Sequence, residues 1–190
     1  AKLTTPAGDV TVTQKTAYPW SGDVRIEVAP ARDGLAFPLK VRVPGWAIGR
    51  PVPSDLYTQT VPGSLKDVAI AVNGTPAPLA LDKGYVTIDR AWRAGDTVTL
   101  AFAMPVRRIQ AHPGVKDDIG RLAVERGPLV YCAESADNDG HALNLVLPAA
   151  TAFAETSVEI LGHKMVALKA QAQSATVDLP GGAVSTLPQV

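Results

Sequence analysis

The sequence predicts an all-β protein, an antiparallel sandwich or jelly roll organised as two packed β units with little helix. Three observations carry this. Apolar and polar residues alternate with period two along most of the 190 residues, the mark of strands with one wet face. Glycine-containing turn sequences punctuate the alternating runs at short spacing. Helix-compatible periodicity is confined to 149–155 and 164–173, and both stretches also fit strands or loops.

The elements follow in order. Val10 and Val12 alternate with threonines, then Val24, Ile26 and Val28 with Asp23, Arg25 and Glu27, then Leu39, Val41 and Val43 with Lys40 and Arg42. The pattern resumes at Val68-Ile70-Val72, Val86-Ile88, Val98-Leu100-Phe102-Met104, Leu122-Val124, Leu143-Leu145-Leu147, Val158-Ile160 and Val177-Leu179. Between these runs lie Ser21-Gly22-Asp23, Asp33-Gly34, Asn73-Gly74, Lys83-Gly84, Ala94-Gly95-Asp96, Asn138-Asp139-Gly140 and Pro180-Gly181-Gly182. Asn73-Gly74 reads as a tight hairpin turn, because asparagine tolerates and glycine favours positive φ. Several of the 16 prolines, among them Pro38, Pro44 and Pro105, flank strands where no ladder donor is needed. The proline-rich stretch 49–64 reads as one long irregular excursion. Strand patterning stops at Arg108-Ile109-Gln110-Ala111-His112-Pro113-Gly114. That places a first sandwich over 1–109 and a smaller β-rich unit over 110–190.

Composition narrows the function. Apolar residues make up 46% and charged residues 19%, enough for a packed core. Lysine plus arginine equals aspartate plus glutamate at 18 each, so no basic field exists to hold a phosphate backbone, and nucleic acid is not the expected partner. No run approaches 18 apolar residues, so no membrane span is expected. Ala1 is followed by Lys2-Leu3-Thr4 without a basic-then-apolar leader, and two expectations follow: the mature protein starts here, or, the favoured one, something upstream has been removed. The sequence assigns no location.

Candidate chemistry is sparse. His112, His141 and His163 show no paired ligand spacing, so a metal site is not expected from them. Cys132 closes the apolar run Pro128-Leu129-Val130-Tyr131-Cys132 and reads as a buried structural thiol. Asp117 and Asp118 are adjacent and fit a turn better than an acid/base pair. Glu125 and Glu134, near Arg121 and Arg126, read as a surface ion-pair array. Trp20, Trp46 and Trp92 are the carbohydrate-contact candidates, since flat indoles stack on sugars. Each borders a turn, however, and the favoured reading is that they plug the ends of the sandwich core. Asn73-Gly74-Thr75 matches a glycosylation acceptor, although the hairpin accounts for it.

Five motifs in order carry a resemblance: Tyr18-Pro19-Trp20-Ser21-Gly22; Leu39-Lys40-Val41-Arg42-Val43-Pro44-Gly45-Trp46; Val72-Asn73-Gly74; Gly84-Tyr85-Val86-Thr87-Ile88-Asp89-Arg90-Ala91-Trp92-Arg93-Ala94-Gly95-Asp96; and Glu125-Arg126-Gly127-Pro128-Leu129-Val130-Tyr131. Together they resemble the non-catalytic C-terminal portion of glycoside hydrolase family 127, the β-L-arabinofuranosidase family. The likeness covers roughly residues 8–147 and fades after Pro148. It implies an N-terminal (α/α)6 catalytic barrel as partner, carrying a zinc-bound cysteine nucleophile and a glutamate acid/base. No motif here matches that cysteine-rich site, so the nucleophile is not transferred to Cys132. The implied role is an accessory region without catalytic residues, cofactor or metal of its own, with homodimer contact as a further expectation. A carbohydrate-binding module and a structural or oligomerisation domain are the alternatives.

Overall fold

A computed structural model describes residues 1–160, 162–178 and 183–189. The strands are β1 (Lys2–Thr5), β2 (Gly8–Thr16), β3 (Asp23–Pro30), β4 (Leu35–Arg42), β5 (Tyr57–Gln59), β6 (Val68–Val72), β7 (Thr75–Pro76), β8 (Leu81–Asp82), β9 (Tyr85–Trp92), β10 (Asp96–Phe102), β11 (Val106–Ala111), β12 (Ala123–Arg126), β13 (Leu129–Tyr131), β14 (Leu145–Val146), β15 (Phe153–Ile160), β16 (His163–Ala170), β17 (Ala172–Asp178) and β18 (Ala183–Gln189). Helical structure among the described residues is limited to single 3-10 turns such as Gly45–Ile48 and Leu65–Asp67. The all-β expectation holds.

Two compact units, Ala1–Val130 and Tyr131–Val190, divide the chain. The division read from the sequence at 109/110 falls inside β11, which is hydrogen-bonded to β12 on one side and β5 on the other.

The first unit contains a sandwich. A six-stranded antiparallel sheet, ordered β1-β2-β3-β10-β6-β7, and a three-stranded sheet, β4-β9-β8, close on one core. The core follows the alternation: Val28, Val98, Leu100, Ile70 and Val72 come from the larger sheet, and Leu35, Val41, Val86, Ile88 and Trp92 from the smaller. Central β10 pairs Leu100 with Val24 on one side and with Ile70 on the other. Asn73-Gly74 makes the β6–β7 hairpin, with both residues at positive φ, the tight turn its sequence predicts. A further sheet, ordered β13-β12-β11-β5, completes the strands up to residue 131.

In the second unit β15 and β16 form an eight-pair hairpin, and β14, β17 and β18 a small sheet. The helix-compatible stretch 164–173 is therefore extended, because cross-strand pairing from Lys164↔Glu159 to Ala170↔Phe153 outweighs its weak helical periodicity. The Leu143-Leu145-Leu147 run is strand only at Leu145–Val146. The Pro180-Gly181-Gly182 turn and Leu179 lie outside the described residues.

Candidate functional site

The three tryptophans have different surroundings. Trp92 ends β9 with its side chain between the sheets, fully buried. Its indole N–H donates to the Phe37 carbonyl at 2.9 Å, and the two rings stack with centroids 5.7 Å apart. It offers no face to a sugar. Trp46 sits half-buried in the 3-10 turn that follows Pro44. Its ring meets Phe102 edge-on at 5.7 Å and lies 6.5 Å from Tyr18, whose hydroxyl accepts its N–H at 3.2 Å. Trp20 is also half-buried, and its carbonyl accepts from the Arg126 guanidinium at 3.2 Å. The first and last of the five motifs thus meet through Arg126, and the first and second through the Tyr18–Trp46 pair.

Beside them lies a polar cluster with no local signature in the sequence. In the β5–β11–β12 ladder Ile109 faces Gln59, and Arg107 faces Glu125. Cross-strand partners share a face and successive residues alternate, so Gln59, Arg107 and Glu125 share one side. Gln59 is 4% exposed and Glu125 5%. The Gln59 amide nitrogen donates to the Glu125 carboxylate and to the Trp46 carbonyl, and its oxygen accepts the Gly63 N–H at 2.8 Å. Arg107 donates to the Val61 carbonyl at 2.6 Å and pairs with Asp67 at 2.9 Å. Asp67 in turn accepts the Ser64 N–H in a reciprocal cap. The stretch 49–64 is therefore fastened from below and contains a strand, rather than being wholly irregular. The expectation that Glu125 joins a surface ion-pair array is corrected: the residue faces inward under this segment.

Burial is the main influence on Glu125 and pushes its carboxyl above the ordinary range. The Gln59 hydrogen bond and the Arg107 charge pull it back only in part. The sign follows directly. The unfolded chain releases this proton near 4.5, and the folded chain releases it at higher pH. Stability from this group is thus complete below 4.5, falls as pH rises toward the raised folded value, and levels off above it. Glu125→Gln is expected to flatten that segment of the pH profile and to match or exceed the wild type at neutral pH. Glu125→Leu is expected to cost about 1–3 kcal/mol at acid pH, because the Gln59 N–H loses an acceptor, and less at neutral pH, where the wild type already carries the buried charge. Urea unfolding at acid and neutral pH reads both.

The remaining candidates are dispersed. Asp117 and Asp118 form the turn expected of them, and Asp118 accepts from the Tyr57 hydroxyl at 3.0 Å. That bond pushes the Tyr57 hydroxyl above its usual value. Asn73 is fully engaged: its amide donates to Asp96 at 2.8 Å and its oxygen accepts the Thr97 N–H at 2.8 Å. Burial opposes ionisation of Asp96, but the Arg93 N–H, Asn73 and the charges of Arg90 and Arg93 together hold it below the usual carboxylate range. Cys132 is exposed, a correction to the buried reading: β13 ends at Tyr131 after three residues, so the apolar run leaves the sheet before reaching the thiol. His112 and His141 are exposed, and the side chain of His163 is outside the described residues. Among the described residues no three His, Cys, Asp or Glu side chains group as metal ligands.

Comparison with known proteins settles the family. Residues 1–104 match the β-L-arabinofuranosidase GH127 middle domain, and residues 106–181 match the glycoside hydrolase family 127 C-terminal domain. The chain belongs to glycoside hydrolase family 127. It is 35% identical over 179 residues to a GH127 relative, the non-reducing end β-L-arabinofuranosidase of Bifidobacterium longum subsp. longum, covering 92% of this chain and 23% of that protein. Among solved GH127 structures it is similar to a β-arabinofuranosidase, with a TM-score of 0.87 at 34% identity, over 99% of this chain and 29% of that one. It is also similar to a GH127 β-L-arabinofuranosidase from Geobacillus stearothermophilus T6, with a TM-score of 0.79 at 31% identity, over 99% and 28% of the two chains. The chain thus spans between 23% and 29% of the length of these GH127 proteins. The GH127 match runs on to residue 181, well past Pro148, where the recognisable motifs end.

Proposed function

We propose that this chain is the non-catalytic β-sandwich region of a β-L-arabinofuranosidase-like glycoside hydrolase, packed against an (α/α)6 catalytic barrel in the same polypeptide. The observation that carries this reading is the match: a middle domain and a C-terminal domain, together spanning only a minor share of each relative. The site chemistry supports it. A retaining glycosidase sets two groups about 5–5.5 Å apart across one glycosidic bond. Here Glu125 is buried and bonded to Gln59, while Cys132 and Glu134 are exposed in the second unit. In this reading the zinc, the cysteine nucleophile and the glutamate acid/base belong to the barrel.

The test is to assay the 190-residue chain and the full-length gene product side by side on p-nitrophenyl β-L-arabinofuranoside, with zinc and reductant. Turnover by the full-length protein alone is expected. Turnover by the isolated chain would overturn the accessory role, and an inactive full-length protein would overturn the substrate class. A second reading, carbohydrate contact, is favoured by the Tyr18–Trp46 pair at the sandwich surface, where Tyr18 is exposed and Trp46 half-buried. Tryptophan fluorescence titrated with arabinan and xylan oligosaccharides tests it, and a flat response removes it.

A further inference from the structure

We propose that the surface around edge strand β5, marked by the exposed side chains of Leu56, Val61, Leu65 and Ile119, is the face of the first unit that packs against the remainder of the glycosidase polypeptide. This inference rests on the accessory reading and assigns that reading a surface.

The four residues lie within one or two positions of contacts that anchor a single neighbourhood. The Leu56 carbonyl accepts the His112 N–H at 2.7 Å. The Tyr57 hydroxyl binds Asp118, the residue before Ile119. Arg107 holds the Val61 carbonyl with one nitrogen and Asp67 with another, and Asp67 closes the turn Leu65–Asp67. Gln59 ties the underside of the same segment to Glu125, Trp46 and Gly63. Fixing each backbone residue costs about 1–2 kcal/mol of conformational entropy. A segment held this firmly nevertheless turns Val61 outward at 70% exposure and Ile119 at 67%. Burying them is the return that the isolated fold lacks.

The composition points the same way. β5 is the last strand of its sheet, and its edge is already blunted by its three-residue length and by Pro53 and Pro62 on either side. From Pro51 to Ser64 the only charged residue is Asp55, so Leu56 and Val61 stand with few of the charged sequence neighbours that ordinarily surround apolar side chains on a wet surface. The occupant is the rest of the same polypeptide, because the relatives extend far beyond the matched span and a permanent contact tolerates an apolar surface better than a transient one.

Side-chain oxidation footprinting of the full-length enzyme tests this, with Leu3 and Ile160, both exposed here, as controls of matching reactivity. Leu56, Leu65, Val61 and Ile119 are expected to be oxidised several-fold more slowly than their exposure in this chain requires, while the controls react freely. If the four react as fast as the controls while other exposed apolar residues of this chain are protected, the assignment fails and the accessory reading stands. If none of them is protected, both fail. Protection that disappears on dilution would assign the surface to a second copy and overturn the proposal.

Discussion

Trp92→Ala is expected to lower the unfolding free energy by about 3–5 kcal/mol, the range for emptying a large aromatic site in a core. Trp92 is the largest of the fully buried side chains, it stacks on Phe37, and its N–H satisfies the Phe37 carbonyl. Removing it opens a cavity between the two sheets and leaves that carbonyl without this donor. Domains of this kind are stable by about 5–15 kcal/mol in total, so the variant is expected to be marginal at 37 °C. Trp92→Phe keeps an aromatic ring against Phe37 and loses the hydrogen bond, and a cost of about 1–3 kcal/mol is expected. Urea unfolding followed by far-UV circular dichroism measures both. A loss below about 1 kcal/mol for the alanine variant would show that the core closes over the site, against the rule for well-packed interiors.

Gly22→Ala is the second large effect. A methyl group at this position would lie 1.9 Å from the Phe102 carbonyl oxygen. Neither side can retreat easily. The Phe102 N–H donates to the Gly22 carbonyl at 3.1 Å, the Phe102 ring packs against Trp46, and β10 is paired on both edges. Overpacking ordinarily costs about 1–3 kcal/mol, and a clash with backbone belongs at or above the top of that range. Gly74→Ala is the control: nothing lies within 4 Å of its added methyl, and only its positive φ of 82° is strained, for about 1–2 kcal/mol. Thermal melts of the two variants should separate clearly. Equal losses would show that close approach is not what requires glycine in the Tyr18-Pro19-Trp20-Ser21-Gly22 motif.

These two positions show how differently the parts of the fold can be read. Trp92 was visible as a core plug because it ends an alternating run and precedes a Gly-Asp turn, both local signals. The need for glycine at 22 depends on Phe102, 80 residues away, and only the β3–β10 pairing explains it. The tryptophan candidates also separate on tertiary grounds. Trp92 lies between the sheets, whereas Trp46 is half-buried, packed against the rim of the core beside Phe102 and bonded to Tyr18. The exposure of Cys132 has a related cause: an apolar run looks the same whether its strand is central or short and at the edge, and β13 is a short edge strand, with Val130 largely exposed. Strand β5 was hidden among prolines, since its three residues are strand only by pairing with β11.

What the sequence by itself determined is the all-β class, the hairpin at Asn73-Gly74, most core strands of the first unit and the family likeness. Period-two alternation and turn chemistry are written in neighbouring residues, and they need no knowledge of which strands will meet. Only the tertiary structure decided that Gln59 and Glu125, separated by 66 positions, would become one buried cluster beneath 49–64. A glutamate in an alternating strand is wet or dry according to what covers its face. The cover here is a distant segment held by an amide, an arginine and a short edge strand, and none of these carries a local signal of its destination.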